Sequence, residues 1–118
     1  MKYMCLVYQD AEKLNAMTES EYETLWSDLS DCCESAWHGD RYIAAEPLQP
    51  VETAMTIRVR NGKVSLTNGP FAETREQLSG FYLINARDLN DAIRMASKMT
   101  PARMGCIEVR PVKELNPE

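Results

Sequence analysis

Several absences narrow this chain before any motif is read. It has a single histidine and four cysteines, none in a C-x-x-C pair, in 118 residues. That leaves too few ligands for a zinc site. No stretch approaches the ~20 apolar residues a membrane helix needs. The apolar N-terminus has no basic region or cleavage site before it. It reads as a strand and not a signal peptide, which points to the cytoplasm. Basic residues are the minority: 13 Lys and Arg against 18 Asp and Glu give a net charge of −5. The longest basic grouping is Arg58, Arg60 and Lys63 at a hairpin tip. Nucleic-acid modules need clustered cations, and anionic membranes repel an acidic chain, so neither partner is expected. The length leaves room for one domain. Cys5 and Cys106 fall on the first and last strands, but in a reducing cytosol thiols are expected in preference to a bridge.

Residues 2–8 are apolar on both sides of the pleat, the mark of a strand buried on two faces. Thr18, with Glu21 three residues on, makes a capping box. From there Tyr22, Leu25, Trp26, Leu29, Cys32, Cys33 and Ala36 recur at helical spacing up to Gly39. A helix of about 20 residues would cross a whole sheet. Residues 41–46 form a short strand before Pro47 and Pro50. Residues 53–60 alternate, and Asn61-Gly62 is a strong hairpin signal because a type I′ turn needs positive φ twice. Residues 63–67 return. Asn68-Gly69-Pro70 breaks the pattern, and residues 71–79 read as a polar loop with one or two helical turns. Residues 80–86 form a second strand apolar on both faces. Asp88 caps a second helix with an inner stripe of Leu89, Ala92, Ile93, Ala96 and Met99, ended by Pro101. Residues 106–112 form the last strand. The domain spans residues 1–113, and residues 114–118 form a tail expected to fray.

This order predicts an α+β fold: a ferredoxin-like split βαβ sandwich with an added hairpin. Two helices cover one face of such a sheet. The strands that are apolar on both faces need a cover on the other, and the simplest cover is a second copy. The expectation is a homodimer, a dimeric α/β barrel.

The segment Asn68-Gly69-Pro70-Phe71-Ala72-Glu73-Thr74-Arg75-Glu76-Gln77-Leu78-Ser79-Gly80-Phe81-Tyr82-Leu83-Ile84 closely resembles the signature of the DGPF proteins, a branch of the YCII-related family. Met1 through Tyr8, Glu46-Pro47-Leu48-Gln49-Pro50, Thr56 through Arg60, Ala86-Arg87-Asp88-Leu89 and Glu108-Val109-Arg110-Pro111 resemble it too. The resemblance implies a ferredoxin-like dimeric barrel and little about activity. YCII-type relatives are proposed to use a His–Asp pair, and one branch includes a dehydrochlorinase of chlorinated hydroxyquinols. Some DGPF proteins accompany extracytoplasmic-function sigma factors. Two departures stand out. The only histidine, His38, is in the last turn of the first helix, away from the earlier position where the family's histidine is expected. Asn68 replaces the signature's first Asp, and an amide cannot shuttle a proton at neutral pH.

Five residues stand out as candidates for a site. Glu73 is the candidate catalytic residue. On a helical turn it would share a face with Glu76, and close carboxylates can supply an acid and a base; solvent and Arg75 could equally neutralise both. Arg58 is a candidate anion ligand, Asn68 a candidate rim residue or simply part of a tight turn, and Tyr82 a ligand contact or ordinary packing. His38 is best explained by the helix dipole. No metal and no cofactor are expected. Two functions stay open. One is a cofactor-independent lyase or isomerase acting on a small anionic or aromatic molecule. The other is a non-catalytic ligand-binding or regulatory accessory protein linked to a sigma-factor system.

Overall fold

The computed structural model describes residues 1–27 and 41–115. The elements in order are strand β1 (Lys2–Asp10), helices α1 (Ala11–Asn15) and α2 (Glu19–Leu25), and strands β2 (Tyr42–Pro47), β3 (Met55–Arg60), β4 (Lys63–Asn68) and β5 (Glu76–Asn85). Helix α3 (Leu89–Ala96) and strand β6 (Cys106–Pro111) complete them. Four strands form one antiparallel sheet in the order β2-β5-β1-β6. That is the strand order of the ferredoxin-like sandwich, so the α+β reading holds. β3 and β4 form a separate two-stranded sheet.

The register divides the sheet into two faces. On one face Tyr3 lies beside Ile84, Cys5 beside Tyr82 and Val109, and Val7 beside Gly80 and Ile107. Tyr3, Cys5, Val7, Tyr82 and Ile84 are buried there with Leu25, Trp26, Ala92, Met95 and Met99 in one core. Tyr82 is fully buried, stacked on Trp26 at 5.9 Å between ring centroids and edge-on to Tyr42 at 5.8 Å. On the other face Met4 lies beside Leu83, and Leu6 beside Phe81. All four are only half-buried. The two-faced apolar character read from the sequence is real, and the second face has no helix over it among the described residues.

Several expectations need correction. The first helix starts at the Thr18–Glu21 capping box as expected, but α2 closes at Leu25. Trp26 leaves helical geometry at φ −105°, ψ 20°. Its ring sits against Gly80, where an added Cβ would run into it. The rest of the predicted span, with Cys32, Cys33 and His38, lies outside the described residues. A short helix that periodicity missed, α1, is started by Asp10, whose carboxylate accepts from the Glu12 and Lys13 N–H groups. In α3 the inward stripe is Asp91, Ala92, Met95 and Ala96. Leu89 and Ile93 face out, each about half exposed. Cys5 and Cys106 are free thiols on opposite faces of the sheet: Cys5 pairs with Val109 and Cys106 with Tyr8. Burial pushes the Cys5 thiol up to about 11, which keeps it protonated and inert at neutral pH.

Asp91 replaces apolar packing at one point of that stripe. Its Oδ1 accepts from Arg41 Nη2 at 3.1 Å and from Arg94 Nη2 at 3.3 Å. Its Oδ2 accepts the Arg87 backbone N–H at 3.0 Å. Arg41 precedes β2, so the cluster ties that strand to α3. The Arg87 N–H above all, against the opposing effect of burial, and then the Arg94 and Arg41 guanidiniums hold the Asp91 carboxyl far below the usual carboxylate range. Arg75 does the same for Asp10, though less strongly. Folded values below the unfolded value of about 3.9 stabilise the native state above that pH and lose the contribution as pH falls through it. The melting temperature should therefore stay level from about pH 7 to 5, as far as these two groups act, and drop below about pH 4. Asp91→Asn should melt lower at neutral pH and show a shallower acid limb in a calorimetric pH series. An acid limb identical to that of the parent chain would remove Asp91 from this account.

Candidate functional site

A cleft of about 690 Å³ lies between the α1–α2 turn and the sheet. Its first wall is Ala11, Leu14, Asn15 and Met17, continued by Thr18, Glu19 and Tyr22 at the start of α2. The second wall is the loop of residues 47–51. The floor is Gln77, Leu78 and Ser79 on β5.

Each wall has a local cause. Arg75 reaches the helix-capping Asp10 through Nε at 2.9 Å, and the Ala11 N–H donates to the Arg75 carbonyl at 3.2 Å. Helix α1 is thereby fixed to the entry of β5. Pro47 and Pro50 end β2 and stiffen the loop. Its Leu48 N–H donates to the Ser79 carbonyl at 2.9 Å. Asn15 Nδ2 donates to Glu52 Oε2 at 2.9 Å, linking α1 to the segment following the loop.

Ser79 owes its place to a β-bulge. The pairing runs Val7 with Gly80 and then Tyr8 with Leu78, so Ser79 is the extra residue of β5. Bulges re-aim side chains and recur beside functional sites. The Ser79 hydroxyl is 3.0 Å from Gln9 Oε1 and 3.3 Å from the Val7 carbonyl. Gln9 is buried and its Nε2 has no partner among the described residues. One hydroxyl cannot satisfy both ends of an amide, so whichever way that amide is turned, one polar atom behind the cleft floor stays unpaired. Of the described residues lining the cleft only Glu19 is charged, and no cation is among them. Burial pushes the Tyr22 hydroxyl up, so it acts as a neutral hydrogen-bonding group. Composition carried no sign of this cleft. The Pro47–Pro50 spacing and the Thr18 cap were the only signals of its walls.

The residues singled out from the sequence are elsewhere. Asn68 ends β4 opposite Met55, exposed. Gly69 follows at φ 98°, and its N–H donates to the Ala54 carbonyl at 2.7 Å. The chain bends at Gly69, but Asn68 is the last residue of the strand, and the Gly69 N–H continues the β3–β4 pairing instead of closing a tight turn. Arg58 is exposed in mid-β3 opposite Ser65. Glu73 is exposed in an irregular segment held by Gln77, whose Nε2 donates to the carbonyls of Ala72 at 2.9 Å and Thr74 at 3.0 Å. Glu76 is already in β5, paired with Asp10. The helical turn expected to align Glu73 with Glu76 is absent, because pairing with β1 draws residue 76 into the sheet. Glu76 lines a second, shallower hollow with Tyr8, Asp10, Lys13, Arg75 and Met104. Tyr82 is on the helical face, sealed in the core. These five residues therefore form no common site in the described chain.

Among the described residues no group of three or more His, Cys, Asp or Glu could hold a metal ion. No helix among them is long and apolar enough to cross a membrane.

A four-stranded ferredoxin-like sheet with a cleft at the α1–α2 turn defines the class. The YCII-related domain model matches residues 1–116, and the chain belongs to that family. It is 34% identical over 119 residues to the uncharacterized protein R00369 of Rhizobium meliloti (strain 1021), covering 99% of this chain and 96% of that protein.

Proposed function

We propose that this YCII-related protein is a cytoplasmic homodimer that binds a small, neutral, largely apolar molecule in the α1–α2 cleft. The observation that carries the reading is the cleft's lining. Apolar walls carry several uncharged polar groups and one carboxylate, Glu19 at the start of α2, the usual make-up of a small-molecule site. The absence of a cation from that lining favours an aromatic or other neutral ligand over an anion. The half-buried face of Met4, Leu6, Phe81 and Leu83 supports the dimer, since a second copy is the simplest cover for it.

A neutral solvatochromic dye, Nile red, tests the cleft. Leu48 lines it and is 41% exposed, so Leu48→Asp should leave the fold intact. It should weaken dye binding about tenfold, equivalent to about 1.4 kcal/mol. Unchanged dye affinity would place the ligand elsewhere.

The alternative is a cofactor-independent lyase or isomerase with Glu73 as its acid–base group. It draws support from the signature segment, and the exposed Glu73 carboxylate is free of the cleft's walls. A metabolite screen of the parent chain and Glu73→Gln separates the two readings. Turnover abolished by that substitution favours the enzyme. A ligand bound but unchanged by both proteins favours the binding protein, including an accessory role beside a sigma factor.

A further inference from the structure

The β3–β4 hairpin is an amphipathic arm with nothing on its apolar side among the described residues. Its register places Ile57 opposite Leu66 and Val59 opposite Val64, with Met55 next on the same side. These five side chains are 52–65% exposed. The other side carries Thr56, Arg58 and Arg60 opposite Thr67, Ser65 and Lys63. The turn is well formed, with Asn61 at φ 53° and Gly62 at φ 76°. Even so, a two-stranded hairpin alone is at best marginally stable in water, and a contiguous apolar patch of several hundred Å² marks an interaction site.

Charge decides what covers the arm. Residues 55–68 contain Arg58, Arg60 and Lys63 and no acidic residue. Taking that +3 from the net −5 leaves −8 on the rest of the chain. Two arms packed on each other would set +3 against +3. An arm packed on the described body of a second copy, which has 13 Asp and Glu against 10 Lys and Arg outside the arm, sets +3 against −3. A hairpin is thin, so its outer cations remain within about one Debye length, ~8 Å, of the surface beneath.

The geometry points to a reciprocal embrace, in which each β3–β4 arm lays Met55, Ile57, Val59, Val64 and Leu66 on the acidic body of a second copy of this chain. This rests on the homodimer proposed above and adds the element that clasps it. The arm's root lies next to the cleft: Val51 and Pro50 line the cleft, and the Ala54 carbonyl holds the Gly69 N–H. The clasp therefore starts at the ligand site's rim.

The test is sedimentation velocity with light scattering on the full chain at several concentrations. The parent chain should be dimeric at micromolar concentration. The Ile57→Asp/Leu66→Asp variant should raise the dimer Kd by at least about tenfold, as loss of central apolar contacts does. Because the arm is a separate sheet, the variant's melting temperature at dilutions where both chains are monomeric should match the parent's. A second variant, with a short Gly-Ser linker in place of residues 56–67, guards against misfolding of the charged arm. It should show the same loss. Phe81→Asp, on the half-buried sheet face, is the companion variant. If both arm variants dimerise like the parent while Phe81→Asp is monomeric, the clasp is wrong and the dimer stands. A monomeric parent chain overturns both. Raising salt from about 50 to about 500 mM should weaken the dimer. Strengthening by salt would mean that arm packs on arm and would overturn the arm-on-body assignment.

Discussion

Tyr82→Ala is expected to cost about 3–5 kcal/mol of unfolding free energy, the usual range for truncating a fully buried aromatic. That is a large share of the roughly 5–15 kcal/mol that holds a domain together. Tyr82 has no solvent exposure and contacts Trp26 and Tyr42 by ring stacking and edge-to-face packing. Those two rings come from the end of α2 and from β2, so the truncation empties the junction of three elements. Urea denaturation followed by circular dichroism reads the loss. Tyr82→Phe keeps the rings in contact and should cost only about 1 kcal/mol, the typical worth of one hydrogen bond. The pair also separates structure from function at this residue. A core residue makes alanine severe and phenylalanine mild, with dye binding in the cleft unchanged for phenylalanine. Loss of dye binding in Tyr82→Phe with stability intact would return Tyr82 to the ligand site.

Gly80→Ala should be nearly as damaging. A Cβ at this position would strike the six-membered ring of Trp26 and lie 2.9 Å from the Glu46 carbonyl oxygen. The ring must move out of its stack on Tyr82, or β2 must move away from β5. Overpacking of this kind costs about 1–3 kcal/mol, occasionally more, so a loss of at least about 2 kcal/mol is expected here. The shape argument has its own control. Trp26→Phe shortens the ring that occupies the space. If the clash is the cause, the double variant Gly80→Ala/Trp26→Phe should be more stable than the sum of the single losses allows, by about 1 kcal/mol in a double-mutant cycle. Strict additivity would show that the backbone contact with Glu46, and not the indole, sets the cost.

Both residues fall in the segment that resembles the DGPF signature, and both are packed into the core. Gly80 makes room for Trp26 and Tyr82 packs on it. Ser79 is the bulge that turns a hydroxyl towards Gln9, and Gln77 pins the loop carrying Glu73. Much of that segment is accounted for by packing and by one strand irregularity. The edge of the segment, residues 77–79, floors the cleft.

Elements with local causes were legible in the sequence. Period-two alternation marked β3, and runs apolar on both faces marked β1 and β5. Asn61-Gly62 set the hairpin because Asn and Gly enter positive φ at little cost. Thr18 and Asp88 marked the starts of α2 and α3 because a side chain three residues from a free N–H is a local matter. The two-faced apolar strands announced a sheet with one side left to cover. Contacts between residues far apart in the chain settled the rest. Leu89 and Ile93 turned outward because Asp91 is held by Arg41 from across the fold. Glu76 was drawn into β5 by pairing with Asp10, which dissolved the helical turn expected to join it to Glu73. The cleft arose where an unexpected α1 met a proline-stiffened loop and a bulge, three features distant in sequence. A periodic pattern records which face is apolar. Only the folded chain shows which apolar face finds a neighbour, and among the described residues the sheet's second face and the β3–β4 arm are left without one.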